Sequence, residues 1–239
     1  MGEKYELSIT VPAYEEVESL PNLIELYREA KKDITFQLVI VNNGSTDGTA
    51  DYLKKVCSKK ENKFIKVVTV EKNIGYGYGI HQGLKACDAD VIGWSHADLE
   101  CNPADVFVAY NMFKNAPNTK ILVKGHRYGR NWKSLILTHA LTVFSAIFLL
   151  TIFDDINGQP KVFHKDLFNK FKRPPNGFSY DLYVQYKAKK NKYNVLTFNI
   201  FFGERKFGFS KWAGSFFKRL STIKDWAKDV FKIMLGIFK

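Results

Sequence analysis

Apolar and polar positions follow two periods along the chain, and together they predict an α/β domain. Five short apolar runs have the length of buried strands, at residues 7–11, 36–41, 64–70, 91–94 and 120–124. Between these runs lie segments that suit helices, at residues 20–30, 50–57, 80–86 and 103–114. Strands that alternate with helices imply βαβ units, and hence a mainly parallel sheet with helices on both faces.

Residues 135–153 interrupt this alternation with 19 residues that carry no formal charge. That length is close to a membrane span. A transmembrane helix, a buried core helix and a helix lying in the bilayer surface all fit the pattern. We favour an interfacial or core helix over residues 133–153, because a span in mid-domain would separate the sheet from the basic region that follows.

The segment at residues 212–239 predicts a second unusual helix. Six apolar side chains form one stripe at helical spacing: Phe216, Leu220, Ile223, Ala227, Val230 and Met234. Lysines lie off the centre of this stripe, and Trp226 and Phe231 widen it, as is typical of a basic helix on a membrane surface. A terminal helix docked on the core has the same pattern. We expect a domain at residues 1–211 followed by a membrane-surface helix.

Charge is distributed unevenly along the sequence. Residues 1–160 contain 18 Lys or Arg and 19 Asp or Glu, whereas residues 161–239 contain 18 and 5. The positive excess therefore lies in the C-terminal third, which favours an anionic partner such as phosphates, nucleic acid or a membrane surface. Three cysteines without a CxxC spacing predict reduced thiols. The N-terminus lacks a signal region, and we expect a cytoplasmic location.

Candidate ligands follow the apolar run at residues 91–94. His96, Asp98 and Glu100 alternate, and in an extended segment their side chains would lie on one side. An imidazole and two carboxylates could hold a divalent cation there. Loops after the other strands would meet at the same edge of the sheet. They bring further acids, amides and glycines: Glu15, Glu16, Asp47, Asn42, Asn43, Asn73, Gly75, Gly77 and Gly79.

Four motifs, taken together, carry a family resemblance. They are VPAYEE at residues 11–16, VNNGSTDGT at 41–49, NIG at 73–75 with glycines up to 83, and HAD at 96–98. Their order and spacing resemble family 2 glycosyltransferases, which have the GT-A fold. Within that family the chain is most similar to the dolichyl- and polyprenyl-phosphate sugar synthases, over about residues 5–212. The resemblance implies a nucleoside diphosphate sugar donor and a divalent metal, Mn²⁺ or Mg²⁺.

The resemblance also implies roles for residues on the donor side. Pro12, Ala13, Tyr14 and Glu16 match a loop that lines the nucleotide pocket. Asn42 and Asn43 stand where the family has acids, one of which binds the donor base. We assign Asp47, Asn73, Gly75 and Gly79 to the same pocket. Asp98 matches the last acid of the DxD element, while His96 replaces its first Asp and Glu100 replaces a common Gln.

On the acceptor side, the resemblance extends to several basic residues. Arg127 matches an arginine that faces the acceptor phosphate, and Arg205 and Lys211 match an R-x-x-G-x-S-K element. Gln159 and Lys161 occupy a stretch that could reach the diphosphate or the acceptor. Asp181 stands where many inverting relatives have a catalytic acid, so Asp98 and Asp181 are the candidate catalytic residues. An anionic phosphate acceptor needs little base catalysis, which favours a positioning role for Asp181.

The sequence therefore predicts a membrane-associated hexosyltransferase, peripheral on the cytoplasmic face, for cell-envelope glycan synthesis. It would move a sugar from a nucleoside diphosphate to a membrane lipid phosphate, with polyprenyl phosphate as the favoured acceptor. Transfer to a lipid-linked saccharide or a surface glycan is a second hypothesis. The departures at Asn42, Asn43 and His96 support a third, a non-catalytic nucleotide-sugar binder. Binding to nucleic acid is disfavoured, because the lysines interleave with a helical apolar stripe.

Overall fold

A computed structural model describes residues 5–130, 132–203 and 216–238 of the chain. Its strands are β1 (Leu7–Ala13), β2 (Phe36–Asn43), β3 (Ile65–Val70), β4 (Val91–Trp94), β5 (Ile121–Tyr128), β6 (Lys161–His164) and β7 (Asn194–Phe201). Its helices are α1 (Leu20–Ala30), α2 (Thr49–Cys57), α3 (Tyr76–Lys85), α4 (Asp105–Lys114), α5 (Trp132–Leu149), α6 (Lys165–Phe168), α7 (Tyr180–Lys190) and α8 (Phe216–Met234).

One sheet of seven strands, in the order β3-β2-β1-β4-β6-β5-β7, runs through the molecule. Strands β1 to β4 are parallel, and β6 is antiparallel to both of its neighbours, β4 and β5. Strand β7 pairs in parallel with β5. The carboxyl ends of six strands therefore meet at one edge, where β6 begins. This sheet confirms the predicted α/β class with a mainly parallel sheet.

Helices cover both faces of the sheet, as the near-continuous apolar strands require. On one face, Leu23 and Tyr27 of α1 pack with Phe107 of α4 in a buried cluster. On the other, Trp94 of β4 and Tyr180 of α7 belong to a second cluster that also contains residues of α5 and α8. The predicted strands and helices up to residue 124 are all present, although α3 begins four residues earlier than expected.

The early start of α3 follows from the packing of its glycines. Gly75 precedes the helix at φ +138°, and a Cβ at that position would meet the carbonyl oxygen of Asn176 at 2.2 Å. A Cβ at Gly83 would meet the methyl group of Thr10 at 2.2 Å. Small residues thus let the helix approach the sheet and the loop before α7. Residues 75–79 (GYGYG) have no helical spacing of apolar residues, so the sequence did not predict that the helix begins here.

Helix α5 lies partly in the core and partly in the open. One of its faces presents apolar side chains that are more than half exposed: Trp132, Ile136, Val143, Ile147 and, just after the helix, Leu150. The opposite face packs against α8, where the indole nitrogen of Trp226 donates to Ser145 Oγ at 3.0 Å. None of the helices within the described ranges is both long and apolar enough to cross a membrane.

Helix α8 packs on the core along one side, and the predicted contact of this helix with a membrane surface stays a prediction. Its side chains Trp226, Val230 and Ile233 are buried against the second core cluster. The ring of Phe231 packs on Phe148 of α5, with centroids 4.9 Å apart. Among the stripe residues whose side chains are described, Val230 is therefore covered by protein, whereas Met234 is 44% exposed.

Candidate active site

The loops after β1 and β2 are joined by the carboxylate of Asp47. One oxygen accepts from the amide of Val17 at 3.2 Å, and the other accepts from the amide and hydroxyl of Thr49 at 3.1 and 2.6 Å. Burial alone would raise the pKa of Asp47, but these hydrogen bonds outweigh it and lower the pKa. Asp47 was predicted to contact the donor. That contact stays a prediction, and in the structure the carboxylate holds the two loops together.

Glu16 also has a local partner, because its carboxylate accepts from the hydroxyl of Ser19 at 2.8 Å, just before α1. Pro12 and Tyr14 lie at the end of β1 and are partly exposed, whereas Ala13 is buried and pairs with Asn42. Of the predicted pocket residues in this loop, Pro12, Tyr14 and Glu16 are partly exposed and have surface to offer a ligand.

The two asparagines at the end of β2 are buried and tie neighbouring loops together. Asn42 accepts from the amide of Ser45 at 3.1 Å, and Asn43 donates to the carbonyl of Gly75 at 3.2 Å. Asn73 Oδ1 accepts from the amide of Gly75 at 3.0 Å. The side-chain oxygen of Asn43 is buried and has no partner within the described part of the chain. A Cβ at Gly79 would meet the Asn43 amide nitrogen at 2.9 Å.

The segment after β4 is not extended, which corrects the argument from alternation. Strand β4 ends at Trp94, and Leu99 adopts φ +61°, in the left-handed region. Asp98 instead closes a turn, accepting from the amide of Glu100 at 3.2 Å. Within the described residues, no group of three His, Cys, Asp or Glu side chains is arranged to hold a metal ion. The predicted trio is therefore not assembled.

His96 and Asp98 nevertheless suit a metal in chemical terms. Burial lowers the pKa of His96, although the carboxylates of Asp98 and Asp181 act in the opposite direction. The imidazole is therefore neutral at neutral pH and has a ring nitrogen to offer a cation. Asp98 is partly exposed and adds a carboxylate oxygen. One nitrogen and one oxygen ligand fit Mn²⁺ better than Mg²⁺.

A layer of buried charged side chains lies beneath this segment, where β6 pairs with β4 on one side and with β5 on the other. Lys161, 0% exposed, forms an ion pair with Asp181, 1% exposed, and also donates to the carbonyl of Gly158 at 2.9 Å. Trp94 pairs with Lys161 across β4 and β6, and its ring lies 5.2 Å from the Lys161 ammonium. The predicted contact of Lys161 with an acceptor phosphate therefore lacks an open surface, and the same holds for the fully buried Gln159.

Lys124 is a member of this layer that the sequence argument missed. It lies directly opposite Lys161 on β5 and is equally buried. Burial, reinforced by the charge of Lys161, lowers the pKa of Lys124 to about 8 despite a contact with Asp154 at 3.5 Å. A lysine inside the apolar run ILVKG was the available signal, because a buried strand seldom carries an ammonium group.

Arg127 lies at the same edge and is held by Asp155, a second residue to which no role had been assigned. The guanidinium Nε and the backbone amide of Arg127 donate to Asp155 Oδ2 at 2.9 and 2.8 Å. Both side chains are 8% exposed. The Arg127 guanidinium also lies over the ring of Phe202, 5.2 Å from its centroid. Arg205 and Lys211, predicted to bind the acceptor as well, lie outside the described residues.

Asp155→Asn should lower the free energy of unfolding by about 3–5 kcal/mol at neutral pH, because Arg127 would keep a buried charge without its counter-charge. In the native chain, burial raises the pKa of Asp155, but Arg127 holds it well below its usual range. The stabilisation is therefore complete above the unfolded pKa of about 4 and declines as the pH falls below it. Thermal unfolding from pH 7 to pH 3 measures both effects.

The exposed Asp33, replaced by Asn in the same way, is the control for this change. A native chain and an Asp155→Asn variant with parallel pH profiles of stability would contradict the assignment.

Comparisons with known proteins agree on one family. The family model described as "Glycosyl transferase family 2" matches residues 8–173. An undecaprenyl-phosphate 4-deoxy-4-formamido-L-arabinose transferase of Pseudomonas syringae is 27% identical over 129 residues, which cover 53% of this chain and 38% of the relative. Its counterpart in Yersinia enterocolitica is 30% identical over 123 residues, covering 51% and 37%. The chain thus spans about two fifths of the length of these curated relatives.

Solved structures show the same fold. Glucosyl-3-phosphoglycerate synthase of Mycobacterium tuberculosis, in complex with Mn²⁺, uridine diphosphate and glucosyl-3-phosphoglycerate, matches with a TM-score of 0.71. The match covers 97% of this chain and 80% of the synthase at 16% sequence identity. A second structure of that synthase, with Mg²⁺ and uridine diphosphate, matches with a TM-score of 0.69.

Proposed function

The chain belongs to glycosyl transferase family 2, and on that basis we propose that it transfers a sugar from a nucleoside diphosphate to a membrane lipid phosphate. The observation that carries the proposal is that an acidic and a basic side chain lie at the same edge of the sheet. Asp98 follows the end of β4 and Arg127 lies near the end of β5, and the carboxyl ends of both strands are at this edge. A site of this kind suits a reaction in which both the acceptor and the leaving group are phosphates.

The relatives support both substrates. Those from Pseudomonas and Yersinia are named as undecaprenyl-phosphate transferases, which favours a polyprenyl phosphate as the acceptor. The structural neighbours were solved with uridine diphosphate and Mn²⁺ or Mg²⁺, which favours a nucleotide donor and a divalent metal. His96 and Asp98 would hold that metal. When bound, it would neutralise charge on the diphosphate leaving group.

In the proposed reaction, this chain mainly orients charged groups. Asp155 engages Nε and Nη2 of Arg127, and Nη1, for which the described residues show no hydrogen bond, would bind the acceptor phosphate. The phosphate is already anionic, so it can attack the anomeric carbon in line without a base, and the configuration would be inverted. Asp181 then has no proton to take. It holds Lys161, whose positive charge stays beneath the site.

His96→Asp is expected to shift the metal preference towards Mg²⁺ while keeping or raising the activity with that ion. The change restores an oxygen ligand, which Mg²⁺ prefers to imidazole nitrogen. Transfer rates and calorimetric donor binding with Mg²⁺ and with Mn²⁺ would measure the preference. If the ratio between the two metals did not change, His96 would not be a metal ligand.

The exposed apolar face of α5 is the part of the surface that we assign to the membrane. Ile147→Asp should weaken binding to vesicles of phosphatidylcholine and phosphatidylglycerol by about tenfold or more, because the side chain would no longer enter the bilayer interface. Val108→Asp on α4 is the matched control, since it is also exposed but belongs to the helix on the other face of the sheet. Equal losses in a sedimentation assay would contradict the assignment.

Transfer itself can be tested with a panel of nucleoside diphosphate sugars, Mn²⁺ or Mg²⁺, and undecaprenyl phosphate in detergent. A radiolabelled lipid product, absent without the lipid phosphate, is the expected result. Product formed only on a lipid-linked saccharide would favour the second hypothesis. Tight donor binding with neither transfer nor donor hydrolysis, with either metal, would favour a non-catalytic binder, which Asn42, Asn43 and the incomplete metal trio make the main rival.

A further inference from the structure

Tyr76 connects the two halves of the site, although none of the sequence motifs assigned it a role. It is the first residue of α3 and follows Gly75, whose backbone lies against Asn176. Two residues later, the amide of Tyr78 donates to the carbonyl of Asn176 at 3.1 Å. The backbone on both sides of Tyr76 is therefore fixed against the loop that leads into α7, and the position of its side chain is well defined.

The ring of Tyr76 lies between two other aromatic rings. Its centroid is 6.2 Å from that of His96 and 5.4 Å from that of Phe178, and the interplanar angle is 23° in both pairs. These are offset-stacked geometries, in which a shift of the middle ring disturbs both neighbours. The imidazole of His96, the side chain at the altered DxD position, is thus nearly parallel to the ring of Tyr76.

The hydroxyl of Tyr76 reaches the acceptor side of the site. It accepts a hydrogen bond from Nε2 of Gln159, whose other amide atom has no partner within the described residues. Gln159 is next to Gly158, the carbonyl partner of Lys161. Its own carbonyl would lie 2.5 Å from a Cβ at Gly125, two residues before Arg127. Tyr76 therefore holds the side-chain amide of Gln159 near the pairing of β5 with β6, the strands that carry Arg127 and Lys161.

We infer that Tyr76 is a positioning residue that fixes the positions of His96 and Gln159 relative to each other. It thereby aligns the donor side of the site with the acceptor side. The inference rests on the proposed transfer reaction. An aromatic residue that only filled the core would have no need for a hydroxyl directed at a buried amide. It would also stabilise the fold without affecting how the donor binds.

Two variants distinguish the contribution of the Tyr76 ring from that of its hydroxyl group. Tyr76→Phe retains the stack with His96 and removes the bond to Gln159, so it should lower kcat by about tenfold with calorimetric donor affinity in Mn²⁺ unchanged. Tyr76→Leu removes both contacts and should weaken donor affinity severalfold as well. Tyr78→Phe, two residues along the same helix, is the matched control and should behave as the native enzyme.

A double variant tests whether Tyr76 acts through Gln159. If it does, Tyr76→Phe combined with Gln159→Met should be no slower than the slower single variant, because both changes remove the same contact. Additive losses, or variants that lose thermal stability but keep native kcat and donor affinity, would overturn the inference. A native enzyme that binds the donor but transfers nothing would instead refute the proposed function, and the donor-affinity comparison would still test the stack.

Discussion

Asp98→Asn is expected to reduce kcat/KM for sugar transfer by about 1000-fold, equivalent to about 4 kcal/mol of transition-state stabilisation. The amide has the same shape and can still accept the hydrogen bond from Glu100 that Asp98 now accepts. The variant therefore changes the charge and leaves the turn intact. A loss of this size is expected for the group that would supply the carboxylate to the metal and the donor diphosphate, and it should far exceed the loss from any single neutral contact.

The measurement needs three parts. Initial rates with Mn²⁺ give the loss, thermal unfolding checks that the fold is kept, and calorimetry with and without Mn²⁺ shows whether donor binding has lost its dependence on the metal. Asp51→Asn at the exposed start of α2 is the matched control, since it removes the same charge away from the site. A variant at Asp98 that kept activity within threefold would exclude this residue from the proposed machinery.

The first half of the fold could be predicted because its signals are local. Strands β1 to β4 are runs of apolar residues closed by turn residues, and α1 was predicted with its observed limits at residues 20 and 30. Strands β6 and β7 were not predicted. Strand β6 has only four residues and runs antiparallel to its neighbours, and β7 alternates weakly because it lies at the exposed edge of the sheet. Such strands form because of hydrogen bonds to partner strands that are distant in sequence, so a local pattern does not predict them.

In the site, too, the position of the residues could be predicted and their contacts could not. Its position at the carboxyl edge follows from the sheet, and the residues of the motifs do gather there. Their tasks depend on side-chain partners that no spacing reveals: Asp47 fastens loops, and Lys161 is buried with Asp181. The turn at Leu99 also could not be anticipated, because a leucine rarely adopts a left-handed conformation. Alternation along residues 96–100 was therefore a poor guide to where the ligands point.

Helix α8 shows that composition alone does not determine which surface covers an apolar stripe. Its lysines and aromatic residues are those of a membrane anchor, yet Trp226 is buried against Ser145 of α5. Helix α5 has an exposed apolar face, and its uniformly apolar sequence did not show which side would be covered. An amphipathic pattern identifies a helix that needs an apolar partner, and the choice between bilayer and protein depends on what the rest of the chain offers. Here α5 and α8 pack together, and both keep exposed apolar side chains, such as Ile147 of α5 and Met234 of α8.

Breaking the buried pair of Lys161 and Asp181 should have a large effect on stability. Either Lys161→Met or Asp181→Asn would leave one charged or polar partner in a site with almost no exposure, at a cost of about 3–5 kcal/mol. For a chain of this size, that corresponds to a fall in Tm of roughly 6–20 °C. The double variant Lys161→Met with Asp181→Leu should be more stable than either single variant, because no buried charge of the pair would be left unpaired.

The same variants separate a positioning role of Asp181 from a catalytic one. If Asp181 acts by holding Lys161, the two single variants should lose similar fractions of kcat when assayed well below their Tm, and the profile of kcat against pH should keep its native shape. If Asp181 takes a proton in the reaction, Asp181→Asn should lose far more activity than Lys161→Met. Lys60→Met, on the exposed surface, controls for the loss of a lysine charge. We expect the first outcome, because the Asp181 carboxylate is enclosed by protein and already paired, whereas a phosphate acceptor reaches the site without a proton to lose.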